Sequence, residues 1–179
     1  MALIKTVNKE EATGTIKEGY EMFEKVVGLI PKPFELLSAS PGLFALQLQR
    51  NRYYGKHPRL SFALLAHIRY LASRSIGNVY CIDFNKLLLT KLGVTQDLLE
   101  KMEKDPAQSM LEEHENAMLA FVVNAMKNPG STTPEEIEKL RALGWEDGDM
   151  IDALLQGTGM IDIAVLMKTF QMDEHCLVK

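Results

Sequence analysis

The sequence predicts an all-α fold, and three observations carry that prediction. Apolar residues recur with a helical period along nearly the whole chain, without period-two alternation and without an Asn-Gly or Asp-Gly hairpin turn. The prolines stand at 31, 33, 41, 58, 106, 129 and 134, so 59–105 and 135–179 are free of the residue a helix interior excludes. Capping residues open the periodic stretches, and Gly93 and Gly144 stand where helices should stop. At 179 residues, 46% of them hydrophobic, the chain has the material for one sizeable core.

The elements follow in order. Thr15 and Glu18 have capping-box spacing, so the first helix is expected from about Thr15 through Phe23 to Val27. Pro31 and Pro33 bend the chain before a short helix at 34–37, and Pro41 opens the next, to about Tyr54. Pro58 is expected to open a long helix to about Arg74. Asn78 starts another that stops at Gly93, and Thr95 caps a short one carrying Leu98, Leu99 and Met102. Residues 107–127 carry Leu111, Met118, Phe121, Val122 and Ala125 on one stripe. Thr133-Pro134-Glu135-Glu136 joins an N-cap, a first-turn proline and a capping-box glutamate, which makes it the strongest local signal in the chain. The last helix is read from about Asp149 to Phe170, with Ile151, Leu154, Leu155, Ile161, Val165, Leu166 and Phe170 facing the core. Gly157 and Gly159 inside it lower helix propensity and fit a close approach of another backbone. The expectation is eight or nine helices: a polar arm and first helix over 1–30, a helical domain over 31–172 and a tail over 173–179.

Charge and composition narrow the function. The net charge is −4. The local runs Glu112-Glu113-His114-Glu115 and Glu146-Asp147-Gly148-Asp149 are acidic, so nucleic acid and anionic membranes are not expected partners. No stretch approaches about 20 continuous apolar residues, and the N-terminus lacks a signal-peptide pattern, so a cytoplasmic location is expected. Two cysteines, Cys81 and Cys176, cannot form a disulfide framework. No phosphate loop, HExxH or paired-carboxylate motif is present, so neither a cofactor nor a metal is expected.

The informative stretch is Ser73-Arg74-Ser75-Ile76-Gly77-Asn78-Val79-Tyr80-Cys81-Ile82-Asp83-Phe84-Asn85. Asn78 is a natural N-cap whose side-chain oxygen can accept from the Cys81 amide. Cys81 then lies in the first turn, where the helix dipole favours a thiolate. Asn78 and Asn85, at i−3 and i+4 from Cys81, share its face. The plain alternative is a buried cysteine acting as a small hydrophobe. His67, on the stripe Leu60, Leu64, His67/Ile68, Leu71, is either a hydrogen-bonded core histidine or a base for that thiol. His114 reads as surface, His57 as a loop residue and the Asp173-Glu174-His175-Cys176 segment as a mobile tail.

Residues of about 30–172 resemble the alkylhydroperoxidase D / carboxymuconolactone decarboxylase superfamily. The resemblance rests on Pro41-Gly42-Leu43, Pro58-Arg59-Leu60, Leu71-Ala72-Ser73, Gly77-Asn78-Val79-Tyr80-Cys81-Ile82-Asp83-Phe84-Asn85, and Glu135 through Asp147, in that order and spacing. Redox members of that superfamily use a Cys-x-x-Cys pair, a helix-borne glutamate and a histidine as a proton relay. The corresponding positions here are Asn78 for the first cysteine, Ala66 for the glutamate and Asn85 for the histidine; only Cys81 matches. The resemblance implies a helical fold, a homo-oligomer (dimer, trimer or hexamer) and a peroxide or other small-molecule substrate. The candidate catalytic residues are Cys81 and His67, supported by Asn78, Asn85 and Ser73. In the expected chemistry the Cys81 thiolate attacks a peroxide and becomes a sulfenic acid, which an external thiol or Cys176 resolves. The alternative is a non-redox oligomer of the same fold that binds a small molecule or acts as a decarboxylase.

Overall fold

Where the apolar period runs unbroken, the chain is helical. A computed structural model describes residues 2–176, and among these nine α-helices and no strand are found. They are α1 (Gly14–Val27), α2 (Lys32–Leu37), α3 (Pro41–Gly55), α4 (Phe62–Ile76), α5 (Val79–Lys91), α6 (Gln96–Lys104), α7 (Glu113–Lys127), α8 (Pro134–Ala142) and α9 (Asp147–Thr169). The chain divides into two compact units, Met1–His57 with Val165–Glu174, and Pro58–Ala164 with His175–Lys179.

In the first unit an aromatic cluster joins α1, α2 and α3. The Phe44 ring meets Tyr20 edge-on at 5.9 Å and Phe34 at 5.6 Å, and Phe23 packs on Phe34 at 4.2 Å. Gly19 permits this approach, because a Cβ there would stand 2.7 Å from the Phe44 ring. The N-terminal segment is tied to the unit rather than detached as an arm. The Val7 amide donates to Ser38 Oγ at 2.8 Å, the Tyr20 hydroxyl donates to the Val7 carbonyl at 2.9 Å, and the Leu3 amide donates to the Phe170 carbonyl at 3.1 Å. Thr13 precedes α1, so the expected Thr15–Glu18 capping box does not form.

The second unit is built on α4 to α8 and most of α9. The expected start of α4 at Pro58 is corrected to Phe62. Ser61 supplies the cap, accepting from the Leu64 amide at 3.0 Å. Arg59, in the segment ahead of it, is committed elsewhere: its Nε binds Asp149 at 2.8 Å, and its two terminal nitrogens bind the two carboxylate oxygens of Glu146. The helix expected from 107 begins at Glu113, because 106–108 close into a 3-10 turn capped by Asp105. The capping box of α8 forms as read, with the Thr133 amide on Glu136 Oε2 at 2.9 Å and the Glu136 amide on Thr133 Oγ1 at 3.3 Å.

The orientation of α9 is a further correction. Its buried apolar side chains are Met150, Ala153, Met160, Ala164 and Met167, at helical spacing, with Asp149, Gly157 and Gly159 also buried. Ile151, Leu155, Ile161 and Val165, expected in the core, are exposed. The smaller and thinner side chains face inward because packing is close: a Cβ on Gly157 would lie 2.7 Å from Met126 Sδ and 2.9 Å from Val122 Cγ1. The close approach expected at Gly157 is therefore made by side chains of α7. By length and composition α9 would also suffice to cross a membrane; one side of it is packed within the protein, and Asp149, Asp152 and Asp162 punctuate it.

Candidate functional site

The α4–α5 hairpin positions the cysteine. Gly77 ends α4 in the left-handed conformation at φ 61°, where a side chain would be strained. The chain then reverses, and the Asn78 amide donates back to the Ser73 carbonyl at 3.1 Å. Asn78 caps α5 as its sequence position requires: its Oδ1 accepts from the Cys81 amide at 3.0 Å. Cys81 is thereby held in the first turn, buried, and in no disulfide. Asn85, one turn on and buried, donates from Nδ2 to the Cys81 carbonyl at 2.8 Å. With its other end it accepts from Arg69 Nε at 2.9 Å. Ser73 Oγ donates to the Arg69 carbonyl at 2.7 Å.

The structure therefore places Asn78 and Asn85 on the Cys81 backbone, ties Ser73 to Asn78 and to Arg69 instead, and adds Arg69, which sequence reasoning missed. The signal was present. Phe62, Ala66, Arg69 and Ser73 repeat at four, three and four residues, one stripe of α4, and Arg69 is the one charged residue on it. Arg69 is half-buried, with its guanidinium 5.8 Å from the centre of the exposed Phe62 ring. It has no carboxylate partner among the described residues. Withdrawal from water pushes its pKa down to about 10, and negative charge at Cys81 acts in the opposite sense.

His67 is placed apart from this group. Successive helical residues turn by about 100°, so His67 stands roughly 200° around α4 from Arg69. Its Nδ1 lies 2.8 Å from the Ala63 carbonyl, which makes Nδ1 the donor and leaves Nε2 as the acceptor. That Nε2 is buried and has no partner. Neither ring nitrogen bonds to Cys81. Burial lowers the His67 pKa, against the raising effects of the Ala63 hydrogen bond and of Glu115.

The opposite side of α5 holds residues 175 and 176. Asp83 Oδ2 accepts from the Cys176 amide at 3.2 Å and lies 2.8 Å from His175 Nδ1. Residues 175 and 176, expected as a mobile tail, are thus held on α5. Burial raises the Cys176 thiol pKa; Tyr80, by hydrogen bonding, lowers it, and Asp83 raises it further. His114 is half-buried, stacked on Trp145 at 5.4 Å, with its carbonyl accepting from Trp145 Nε1 at 2.9 Å. His57 makes an edge contact with Tyr53 at 5.6 Å. Among the described residues no three His, Cys, Asp or Glu side chains converge as a metal site.

No protein-family model matches the sequence, and no curated protein matches it. Structural similarity is extensive. The alkylhydroperoxidase D core of an uncharacterized peroxidase-related protein from Ralstonia eutropha aligns at TM-score 0.79 and 16% identity, over 96% of this chain and 90% of that one. An uncharacterized peroxidase-related protein from a Silicibacter species aligns at TM-score 0.75 and 14% identity, over 93% and 90%. A cysteine-to-alanine variant of the debrominase Bmp8, in complex with 2,3,4-tribromopyrrole, aligns at TM-score 0.77 and 16% identity, over 99% and 93%. The chain has the alkylhydroperoxidase D-like fold.

Proposed function

We propose that this protein is a thiol-dependent reductase of small hydroperoxides whose reacting atom is Cys81 Sγ. One observation carries the reading: Cys81 is held at a helix start between two buried amides, with an arginine that lacks a carboxylate partner on the same face. Helix starts and neighbouring cations are the environments that activate a thiol. The fold shared with peroxidase-related proteins supports the reading.

In the step proposed, the Cys81 thiolate attacks the terminal oxygen of ROOH. The S–O bond forms as the O–O bond breaks, and sulfur gives two electrons to the peroxide. The alkoxide leaves and takes a proton from water, and Cys81 remains as a sulfenic acid. One external low-molecular-weight thiol condenses with it, releasing water and forming a mixed disulfide. A second external thiol displaces Cys81 and leaves as the external disulfide. Cys176 is not assigned the resolving role, because Asp83 and Tyr80 hold it on the other side of α5. The debrominase of the same fold supports a second reading, in which Cys81 acts on a halogenated ring.

The protein is further proposed to be a homo-oligomer that covers the exposed stripe Ile151, Leu155, Ile161 and Val165 of α9. A monomer in sedimentation at micromolar concentration would contradict that. The catalytic proposal is tested by following cumene hydroperoxide in the presence of excess dithiothreitol. Consumption that Cys81→Ser abolishes supports it, and Asn85→His, which offers the thiol an imidazole one turn away, is expected to raise the rate. Consumption retained in Cys81→Ser would overturn it.

A further inference from the structure

Two polar groups beside Cys81 carry unmet donor capacity. Asn78 is fully buried; its Oδ1 is used by the Cys81 amide, and its Nδ2 has no partner. A buried donor left unpaired is costly, so native proteins rarely keep one without use. Arg69 uses only Nε, on the neutral Asn85 amide, and makes no other hydrogen bond among the described residues. Arg69 is half-buried, and a cation partly withdrawn from water is ordinarily paired with a carboxylate. Both groups are tied to the same turn of α5, Asn78 through the Cys81 amide and Arg69 through Asn85, which holds the Cys81 carbonyl. Every unmet group there is a donor. A neutral apolar substrate would leave them all unsatisfied, and a cation would be repelled.

We propose that Asn78 Nδ2 and the Arg69 guanidinium form an anion-binding subsite beside Cys81, selecting substrates that carry a small organic oxyanion such as a carboxylate. This rests on Cys81 as the reacting thiol and adds the class of molecule presented to it. The way in is the Arg69 side. The guanidinium reaches from the exposed Phe62 ring to buried Asn85, whereas Asn78 and Cys81 lie wholly inside. The subsite binds the anion through charge-assisted hydrogen bonds, the strong kind for a guanidinium and a carboxylate.

The charge preference of alkylation tests this without relying on peroxide chemistry. The full chain carrying Cys176→Ser is treated near neutral pH and at low salt with iodoacetate and with iodoacetamide. Both reagents need the thiolate, so the ratio of their rates reads the subsite and not the thiol pKa. Iodoacetate is expected to react faster than iodoacetamide. Arg69→Met is expected to lower the ratio by about tenfold or more, the loss of a charge-assisted bond. Arg69→Lys should keep most of the preference. Asn78→Ser retains a capping oxygen while removing the amide donor, and is expected to lower the ratio several-fold. A second measurement needs no variant at the subsite: acetate should protect Cys81 from iodoacetamide. A ratio below one that Arg69→Met leaves unchanged, no protection by acetate, or no modification of Cys81 by either reagent would each overturn the subsite. If the subsite fails while Cys81-dependent hydroperoxide consumption stands, only the substrate class is lost.

Discussion

The two cysteines sit on two sides of one helix and differ in everything that controls a thiol. Cys81 is fixed in the first turn of α5 by Asn78 and Asn85, and Arg69 supplies positive charge. Cys176 rests against Tyr80 and Asp83, where burial and a carboxylate both oppose its ionisation. The separation comes from which face of the helix meets α4 and which meets the chain end. The same thirteen-residue helix turns one cysteine toward an arginine of α4 and sets a carboxylate beside the other.

The largest effect expected from this difference is on turnover. Cys81→Ser should abolish hydroperoxide consumption, whereas Cys176→Ser should retain it when an external thiol is supplied. Loss of turnover in Cys176→Ser would make the tail a participant and dissolve the contrast. A smaller effect, a rate change of several-fold, is expected at Cys176 itself. In a Cys81→Ser background its alkylation should rise only above the ordinary thiol pKa of about 8.5. Asp83→Asn should move that rise to lower pH, because the carboxylate's repulsion of the thiolate is gone.

Stability marks the same contrast more weakly. His67, on neither cysteine's face, gives the reference. Its folded pKa is lowered by burial, so the unfolded chain takes a proton that the folded chain refuses. The stability held above the unfolded value of about 6.5 is lost as pH falls below it, at up to about 1.4 kcal/mol per pH unit. Thermal melts of wild type and His67→Gln between neutral pH and pH about 5 should show that slope in the first and its removal in the second. Asn78→Ala should cost about 1 kcal/mol for the lost cap, a drop in Tm of roughly 2–4 °C at this chain length. Asp83→Ala, which releases an exposed tail contact, should cost less than about 0.5 kcal/mol.

Much of the cysteine's setting was legible in the sequence because capping is local. Asn78 caps Cys81 as three-residue spacing requires, and Asn85 falls on the same face by its i+4 position. Thr133 and Glu136 form their box for the same reason. What needed the structure was tertiary. Arg69 joins the site only because Gly77 turns α5 back along α4, and His67, two residues away, is carried to the other side by the same helical twist. The burial of α9 ran against hydrophobicity, since Val122 and Met126 leave room for Gly157 but for no larger residue. The branched side chains were displaced outward by packing, a constraint that a count of apolar residues does not contain.

The most direct test is to trap the first oxidised species. Wild-type protein, with no reducing thiol present, is treated with one equivalent of cumene hydroperoxide and then with dimedone, which captures sulfenic acids. Peptide mapping is expected to find the dimedone adduct on Cys81 and Cys176 unmodified. An adduct on Cys176 with Cys81 untouched, or peroxide consumed with neither cysteine labelled or oxidised, would contradict the account.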